Sequence, residues 1–294
     1  MPTSHAARLR ALLSEQRTIA APGAFDAIGA RLIVQAGFPV VYMTGAGTAA
    51  TLGFPDYGLV TMSEMVDNAA RLVRAANAPV IADGDTGYGN ELNVVRLVQE
   101  HARAGTAGIH IEDQVSPKRC GHLDDKEIVP REDWLAKIRA AVAMRPDPDF
   151  VVIARTDSRA VAGFDEAVGR CNAALAAGAD IAFLEAPRTM EEVAAVPQRV
   201  NGPCLYNLVK GGKSPDVTLD EAEAMGYRLV IVPGLLFKTM MHACDGALAA
   251  LKATRRHPEV GGMTVRQAFS RVGADEWDPL RTRFRDASVR EAAE

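Results

Sequence analysis

The segment "KRCGH" (118–122) places Cys120 beside Arg119 and Gly121, with Lys118 and His122 one step further along the chain. Cationic neighbours favour thiolate, so the spacing suits a cysteine that works as an acid or base near neutral pH. A surface cysteine without a role is the alternative reading of the same residues. Pro117, Gly121 and the following "LDDKEIVPRED" break helix and strand patterns. They predict a loop of about 17 residues, a length that in compact domains usually belongs to a functional lid.

A second group is "DGDTGYGN" (83–90). On an extended backbone Asp83 and Asp85 point to the same side, and the glycines after them allow a tight bend. With Glu112 from "HIED" they make an oxygen-rich set suited to Mg2+ or Mn2+, because carboxylates this close repel unless a cation or proton sits between them. The alternative is that both aspartates merely cap the loop and helix that follow.

Elements must hold these residues in place. Eight short β-branched runs, "TIAAPG", "VVYMTG", "PVIADGD", "AGIHIED", "FVVIARTD", "IAFLEAP", "CLYNLV" and "LVIVPG", are separated by amphipathic segments such as "LNVVRLVQEHARAG", several of them closed by Gly. The pattern predicts an α/β fold, a (β/α)8 TIM barrel rather than an open doubly wound sheet, since no GxGxxG follows the first strand. Asp83 and Asp85, Glu112 and Asp113, Arg155 and Asp157, Glu185 and Asn207 fall where strands run out, the end at which barrel active sites are built. Residues 1–253 read as the barrel. Residues 254–294 read as a C-terminal helical extension of the same domain, one or two short helices with a stripe of Val265, Phe269, Trp277, Leu280 and Phe284.

Composition narrows the partners. The chain has 294 residues, 48% hydrophobic and 24% charged, enough for one large domain or two small ones. A net charge of -4 without a basic run speaks against nucleic acid or an anionic membrane surface and for a small-molecule partner. No apolar run approaches the roughly 18 residues that span a bilayer, and the N-terminus lacks a signal-peptide core, so a cytoplasmic location is expected. Cys120, Cys171, Cys204 and Cys244 are far apart without CxxC spacing and read as free thiols.

The stretches "VYMTGAGTAATLGFPDYG", "VIADGDTGYGN", "AGIHIEDQVSPKRCGH", "VVIARTD" and "YNLVKGGKSP", in this order, resemble the isocitrate lyase and phosphoenolpyruvate mutase superfamily. Within it they look most like the 2-methylisocitrate lyase and 2,3-dimethylmalate lyase branch. The resemblance runs from about Leu12 to the tail. It implies a (β/α)8 barrel whose terminal helix is swapped between paired subunits, in a homotetramer that is a dimer of such dimers. It also implies Mg2+, with Mn2+ as the substitute, bound mainly through Asp83 and helped directly or through water by Asp56, Asp85 and Glu112.

By the same resemblance "KRCGH" is a mobile gating loop, with Lys118, Arg119, Gly121 and His122 bordering the substrate and Cys120 as the catalytic acid or base. The implied reaction breaks a C–C bond of a 2-hydroxy acid: the hydroxyl loses its proton, its carbon becomes a ketone, and the other fragment leaves as a carbanion that Cys120 protonates. Arg155 holds substrate carboxylates, the amides of Thr44, Gly45 and Ala46 hold the oxo-acid carboxylate, Tyr42 helps deprotonate the hydroxyl, and His110, Glu185 and Asn207 line the pocket. Tyr42 and His110, inside strands, also read as satisfied core side chains.

Two departures bear on the substrate. Thr44 and Ala46 stand where methylisocitrate lyases carry serine and glycine, and Lys210 stands where dimethylmalate lyase and oxaloacetate hydrolase relatives often carry an acid. A cation at 210 suits an acidic substrate if it faces the pocket and means nothing if it faces water. The expected function is a Mg2+-dependent C–C lyase acting on 2-methylisocitrate or a substituted malate such as 2,3-dimethylmalate. A phosphonomutase, an oxaloacetate hydrolase and a non-catalytic barrel that binds a 2-oxo acid are the alternatives.

Overall fold

The structure is a computed structural model that describes residues 3–15, 17–259 and 261–291. The eight β-branched runs form parallel strands β1 (Ile19–Ala24), β2 (Val41–Met43), β3 (Val80–Asp83), β4 (Gly108–Glu112), β5 (Val151–Thr156), β6 (Ile181–Leu184), β7 (Cys204–Asn207) and β8 (Leu229–Val232). They close on one another in sequence order, β8 pairing with β1. The (β/α)8 barrel expected from the alternation of strands and helices is therefore present.

Helices α1 (His5–Ser14), α2 (Ala27–Gln35), α3 (Gly45–Thr51), α4 (Met62–Ala76), α5 (Glu91–Ala104), α6 (Arg131–Met144), α7 (Phe164–Ala176), α8 (Met190–Arg199), α9 (Leu219–Met225) and α10 (Leu235–Thr254) complete the β/α units and their N-terminal lead. Local chemistry sets their ends. Thr61 and Glu64 form a capping box at α4, Thr218 and Glu221 do the same at α9, and Gly105 and Gly226 end α5 and α9 at φ +86° and +100°, where a side chain would be strained.

Alternation along the strands explains where the site lies. Val41, Met43, Val80, Ala82, Ile109, Ile111, Val152 and Ala154 pack outward with the helices, while Tyr42, Ile81, Ile153, Phe183 and Leu205 pack inward. Residues of the inward parity nearer the C-terminal end are Asp83, His110, Glu112, Arg155, Glu185 and Asn207, so a period of two delivers polar groups to the mouth. Register makes neighbours of them: Asp83 lies beside His110, and Glu112 beside Arg155. At the opposite end α1, which sequence patterning did not foresee, places fully buried Leu9 in the inward-facing cluster.

The chain divides into two compact units, Met1–Lys238 and Thr239–Glu294. The second holds the rest of α10, then α11 (Val265–Arg271) and α12 (Ala274–Glu291). One or two short helices were expected here; there are two, and α12 runs for 18 residues and is not short. Val265, Phe269, Trp277, Leu280 and Phe284 are all exposed. Among the described residues no helix is long and apolar enough to cross a membrane.

One core residue should reveal itself by pH. His101 on α5 is fully buried, and neither ring nitrogen has a hydrogen-bond partner. Burial pushes its pKa down from 6.5 to about 4, against the opposing charge of Asp83. The unfolded chain then takes up the proton first, so stability is intact above pH 6.5 and falls as pH drops toward 4. At pH 5 the loss amounts to about 2 kcal/mol. Urea unfolding of His101→Met should show a pH 7.5 to pH 5 decline smaller than wild type by that amount; parallel declines would remove His101 as the linked group.

Candidate active site

Six carboxyl side chains at the strand ends, Asp83, Asp85, Glu112, Asp113, Asp157 and Glu185, are buried, and Asp56 stands beside this group from the loop after α3. The chain does not stay extended after Asp83: Asp85 turns into the left-handed region at φ +45°, and its amide donates to Asp83 Oδ1 at 3.0 Å. Tyr88 Oη donates to Asp85 Oδ2 at 2.9 Å. The ammonium of Lys118 pairs with Asp56 and lies 3.0 Å from Asp85 Oδ1. Burial works to raise Asp83, but His110, Lys118, Arg155 and the Asp85 amide bring its pKa down to about 2.

Arg155 is the other fixed charge. Its Nε donates to Asp157 Oδ2 at 2.9 Å, Nη1 lies 3.1 Å from Glu112 Oε2, Nη2 lies 3.9 Å from Glu185 Oε1, and Phe183 supports the guanidinium from 5.2 Å. Asn207 Nδ2 donates to both Glu185 oxygens at 3.3 and 3.1 Å, and His122 Nε2 comes within 3.2 Å of Glu185 Oε1. Burial pushes Glu112 well above the usual carboxylate range despite Arg155, with Asp157 adding to the rise. Asp85 is also raised, by burial and by Asp83 and Asp56, against Lys118.

The loop between β4 and α6 carries "KRCGH" across this mouth. A Cβ at Gly121 would collide with Glu185 Oε1 and Arg155 Nη2, so only glycine lets the chain pass that close. The charge environment of Cys120 differs from the one its sequence neighbours suggest. Lys118 turns to Asp56 and Asp85, and Arg119, with a side chain 51% exposed, points to Asp125 at 4.0 Å. Burial, with the nearby Asp56 charge, therefore raises the Cys120 pKa above 9.0, and the His122 amide and Arg155 only partly oppose it. This environment favours the thiol, whereas the local sequence favoured the thiolate.

Tyr42 and His110 are core side chains that also reach the mouth. Tyr42 Oη lies 2.8 Å from His110 Nε2 and donates to Asp83 Oδ2 at 3.3 Å. Burial and Asp83 keep Tyr42 a phenol well above pH 10, and burial lowers His110 to about 4, so both are neutral near pH 7. Thr44 caps α3 through its side chain, Ala46 lies in the first turn, and the Gly45 amide donates to Asp83 Oδ2 at 3.3 Å. Lys210 faces water: its side chain is 87% exposed and lies 3.6 Å from Asp216.

Some residues of the site escaped sequence reasoning. Lys126 sits in an acidic run that reads as a solvated surface, yet its side chain is 1% exposed and its Nζ donates to Asp157 Oδ1 at 2.8 Å. Asp113 accepts from the Asp157 amide at 2.7 Å, Thr156 Oγ1 at 2.5 Å and Arg170 Nη1 at 3.0 Å, which anchors the end of β5 to α7. Asp113 and Asp157 were visible as strand-end acids. Nothing in the helical pattern of α7 distinguished Arg170 from a surface arginine.

Among the described residues no three His, Cys, Asp or Glu side chains are arranged to hold a metal ion. The donor set nonetheless fits a hard dication. Asp56, Asp83, Asp85, Glu112, Asp157 and Glu185 oppose only Lys118, Lys126 and Arg155, and both oxygens of buried Glu112 lack a hydrogen bond. Mg2+ commonly needs just one or two carboxylates and keeps waters for the rest.

Barrel and mouth together define a (β/α)8-barrel enzyme. The sequence model described as phosphoenolpyruvate phosphomutase matches residues 9–252. The chain is 50% identical over 229 residues to 2,3-dimethylmalate lyase of Eubacterium barkeri, covering 78% of this chain and 79% of that one. It is 38% identical over 288 residues to 2-methylisocitrate lyase of Aeropyrum pernix, covering 97% and 91%. An oxaloacetate acetylhydrolase solved with 3,3-difluorooxalacetate superposes with TM-score 0.92 at 38% identity, covering 95% and 96%. A phosphonopyruvate hydrolase solved with oxalate and Mg2+ superposes with TM-score 0.87 at 30% identity, covering 96% and 99%. The chain belongs to the phosphoenolpyruvate mutase/isocitrate lyase superfamily, as its motifs implied.

The thiol character of Cys120 is directly measurable. In EDTA-treated protein, iodoacetamide modification of Cys120, mapped by peptide mass, should rise with a midpoint above pH 9.0. Saturation at pH 7 would restore the thiolate reading.

Proposed function

We propose that this enzyme is a Mg2+-dependent C–C lyase that cleaves a substituted malate such as 2,3-dimethylmalate, or 2-methylisocitrate, into a 2-oxo acid such as pyruvate and a carboxylic acid. The observation that carries the reading is the half-buried Cys120 on a loop that passes over Arg155 and Glu185, where burial and the Asp56 charge favour the protonated thiol. A carbanion leaving group needs a proton donor at the end of the reaction, and a thiol is one.

The substrate hydroxyl gives its proton to Tyr42 as the phenol passes its own to His110, 2.8 Å from its oxygen, and the imidazolium then releases that proton to solvent. The electron pair of the broken C–C bond stays on the departing fragment, and the hydroxyl carbon becomes the ketone. Cys120 protonates the fragment and recovers its proton from solvent. Arg155 stabilises carboxylate and developing negative charge, with Asn207 and His122 bordering the same pocket. Asp83, Asp85 and Glu112, with Asp56, are the groups that would hold Mg2+ or Mn2+; a dication there supplies Lewis-acid polarisation of substrate oxygens and offsets the surplus of carboxylates.

Residues 1–253 are proposed as the catalytic barrel and 254–294 as an extension that packs on a second copy in a homotetramer, with helix exchange between subunits. The exposed Phe269, Trp277 and Phe284 support that reading. A cytoplasmic location accompanies it. Oxaloacetate hydrolysis is the second reading, favoured by the likeness to the acetylhydrolase over nearly the full chain.

The test is 2-oxo acid release from 2,3-dimethylmalate, threo-2-methylisocitrate, isocitrate and oxaloacetate with Mg2+. One of the first two should yield pyruvate, EDTA should abolish it, and Cys120→Ser should lower kcat by about 100-fold or more. Oxalate from oxaloacetate alone would select the hydrolase, and full turnover in metal-free protein would overturn the mechanism. Silence with all four, together with a phosphorus-31 signal change on phosphonopyruvate, would select phosphonomutase chemistry.

A further inference from the structure

Cys120 is held from both sides. On one, Gln114 accepts from the Arg119 amide at 3.0 Å and donates to the Arg119 carbonyl at 2.8 Å. On the other, the Lys126 ammonium donates to the carbonyl of Gly121 and, at 2.8 Å, to Asp157 Oδ1. The two holds differ in kind. Gln114 joins parts of the loop to each other, whereas Lys126 joins the loop to the barrel, because Asp157 also grips Arg155 Nε at 2.9 Å.

Burial marks Lys126 out from its neighbours. The side chains of Asp124 and Asp125 are 83% and 88% exposed, but that of Lys126 is 1% exposed and that of its partner Asp157 is 0%. Taking an ammonium out of water is costly unless acceptors replace its hydration, and the two acceptors here lie on different parts of the fold. The pair therefore forms only while the loop is seated.

We propose that Lys126 is a positioning residue that keeps the cysteine loop seated on the barrel mouth, by tying the Gly121 carbonyl to the Asp157 carboxylate. It does not touch substrate in this role; it sets Gly121 against Arg155 and Glu185 and thereby places the adjacent Cys120 thiol. Without the ammonium, both ties are lost together and the loop lifts from its seat more often.

The inference rests on the role proposed for Cys120, but its first readout needs no substrate. Lys118 and Arg119 make the loop cleavable by trypsin when it lifts. Full-length wild type, Lys126→Met, Lys126→Gln and Lys126→Arg are digested under native conditions with Mg2+, and initial cuts after Lys118 and Arg119 are followed by mass spectrometry. The Met and Gln variants should be cut there about 10- to 100-fold faster, the cost of losing a charge-assisted tie, with Arg closer to wild type. On the active substrate, kcat should fall by about tenfold while KM changes by less than about threefold.

Wild-type cutting rates in both neutral variants would overturn the proposal. So would faster cutting spread over the whole chain, which reports a weakened barrel rather than a lifted loop. If wild type turns over none of the acids, the lyase reading fails on its own while the digestion still decides the role of Lys126.

Discussion

A guanidinium shut away from water organises this barrel mouth. The side chain of Arg155 is only 8% exposed, and it hydrogen-bonds Asp157 and faces Glu112 and Glu185 at ion-pair distance, three carboxyl groups from the ends of adjacent strands. Losing one member of such a buried cluster costs about 3–5 kcal/mol, because the rest are left uncompensated. The surrounding choices follow from this constraint: Phe183 sets its ring against the guanidinium, Gly121 has no side chain to push it aside, and Asp113 braces the backbone of Asp157.

Burial first, and that same concentration of charge second, set the chemistry of Cys120. The mouth holds more carboxylates than cations, and burial makes each charge felt over a longer range than in water. A thiolate in this field would add another negative charge, so the proton stays on sulfur. Tyr42 is neutral because burial and Asp83 disfavour the phenolate, and His110 because burial disfavours the imidazolium against the pull of Asp83, which leaves the mouth able to pass protons between groups without building up charge.

Much of this was legible in the chain. Period-two strands fixed the barrel, and the parity that puts Ile81 and Phe183 inward also put Asp83 and Glu185 at the mouth. Less legible were features set by contacts between distant segments. Lys118, Arg119 and Cys120 are neighbours in sequence, yet the loop sends the lysine to Asp56, the arginine to solvent and the cysteine toward the site, so adjacency misjudged the thiol. Lys126 and Arg170 looked like surface cations because their partners, Asp157 and Asp113, lie 31 and 57 residues away. Lys210 could face the pocket or water on its sequence context, and its side chain faces water.

The helix α1 has its own bearing on turnover. With Leu9 set into the inward-facing layer, hydrocarbon fills the floor of the barrel at the end opposite the mouth. In the proposed reaction, substrate and products would pass the cysteine loop that lies across the mouth, so loop opening would enter the turnover rate beside the chemistry itself.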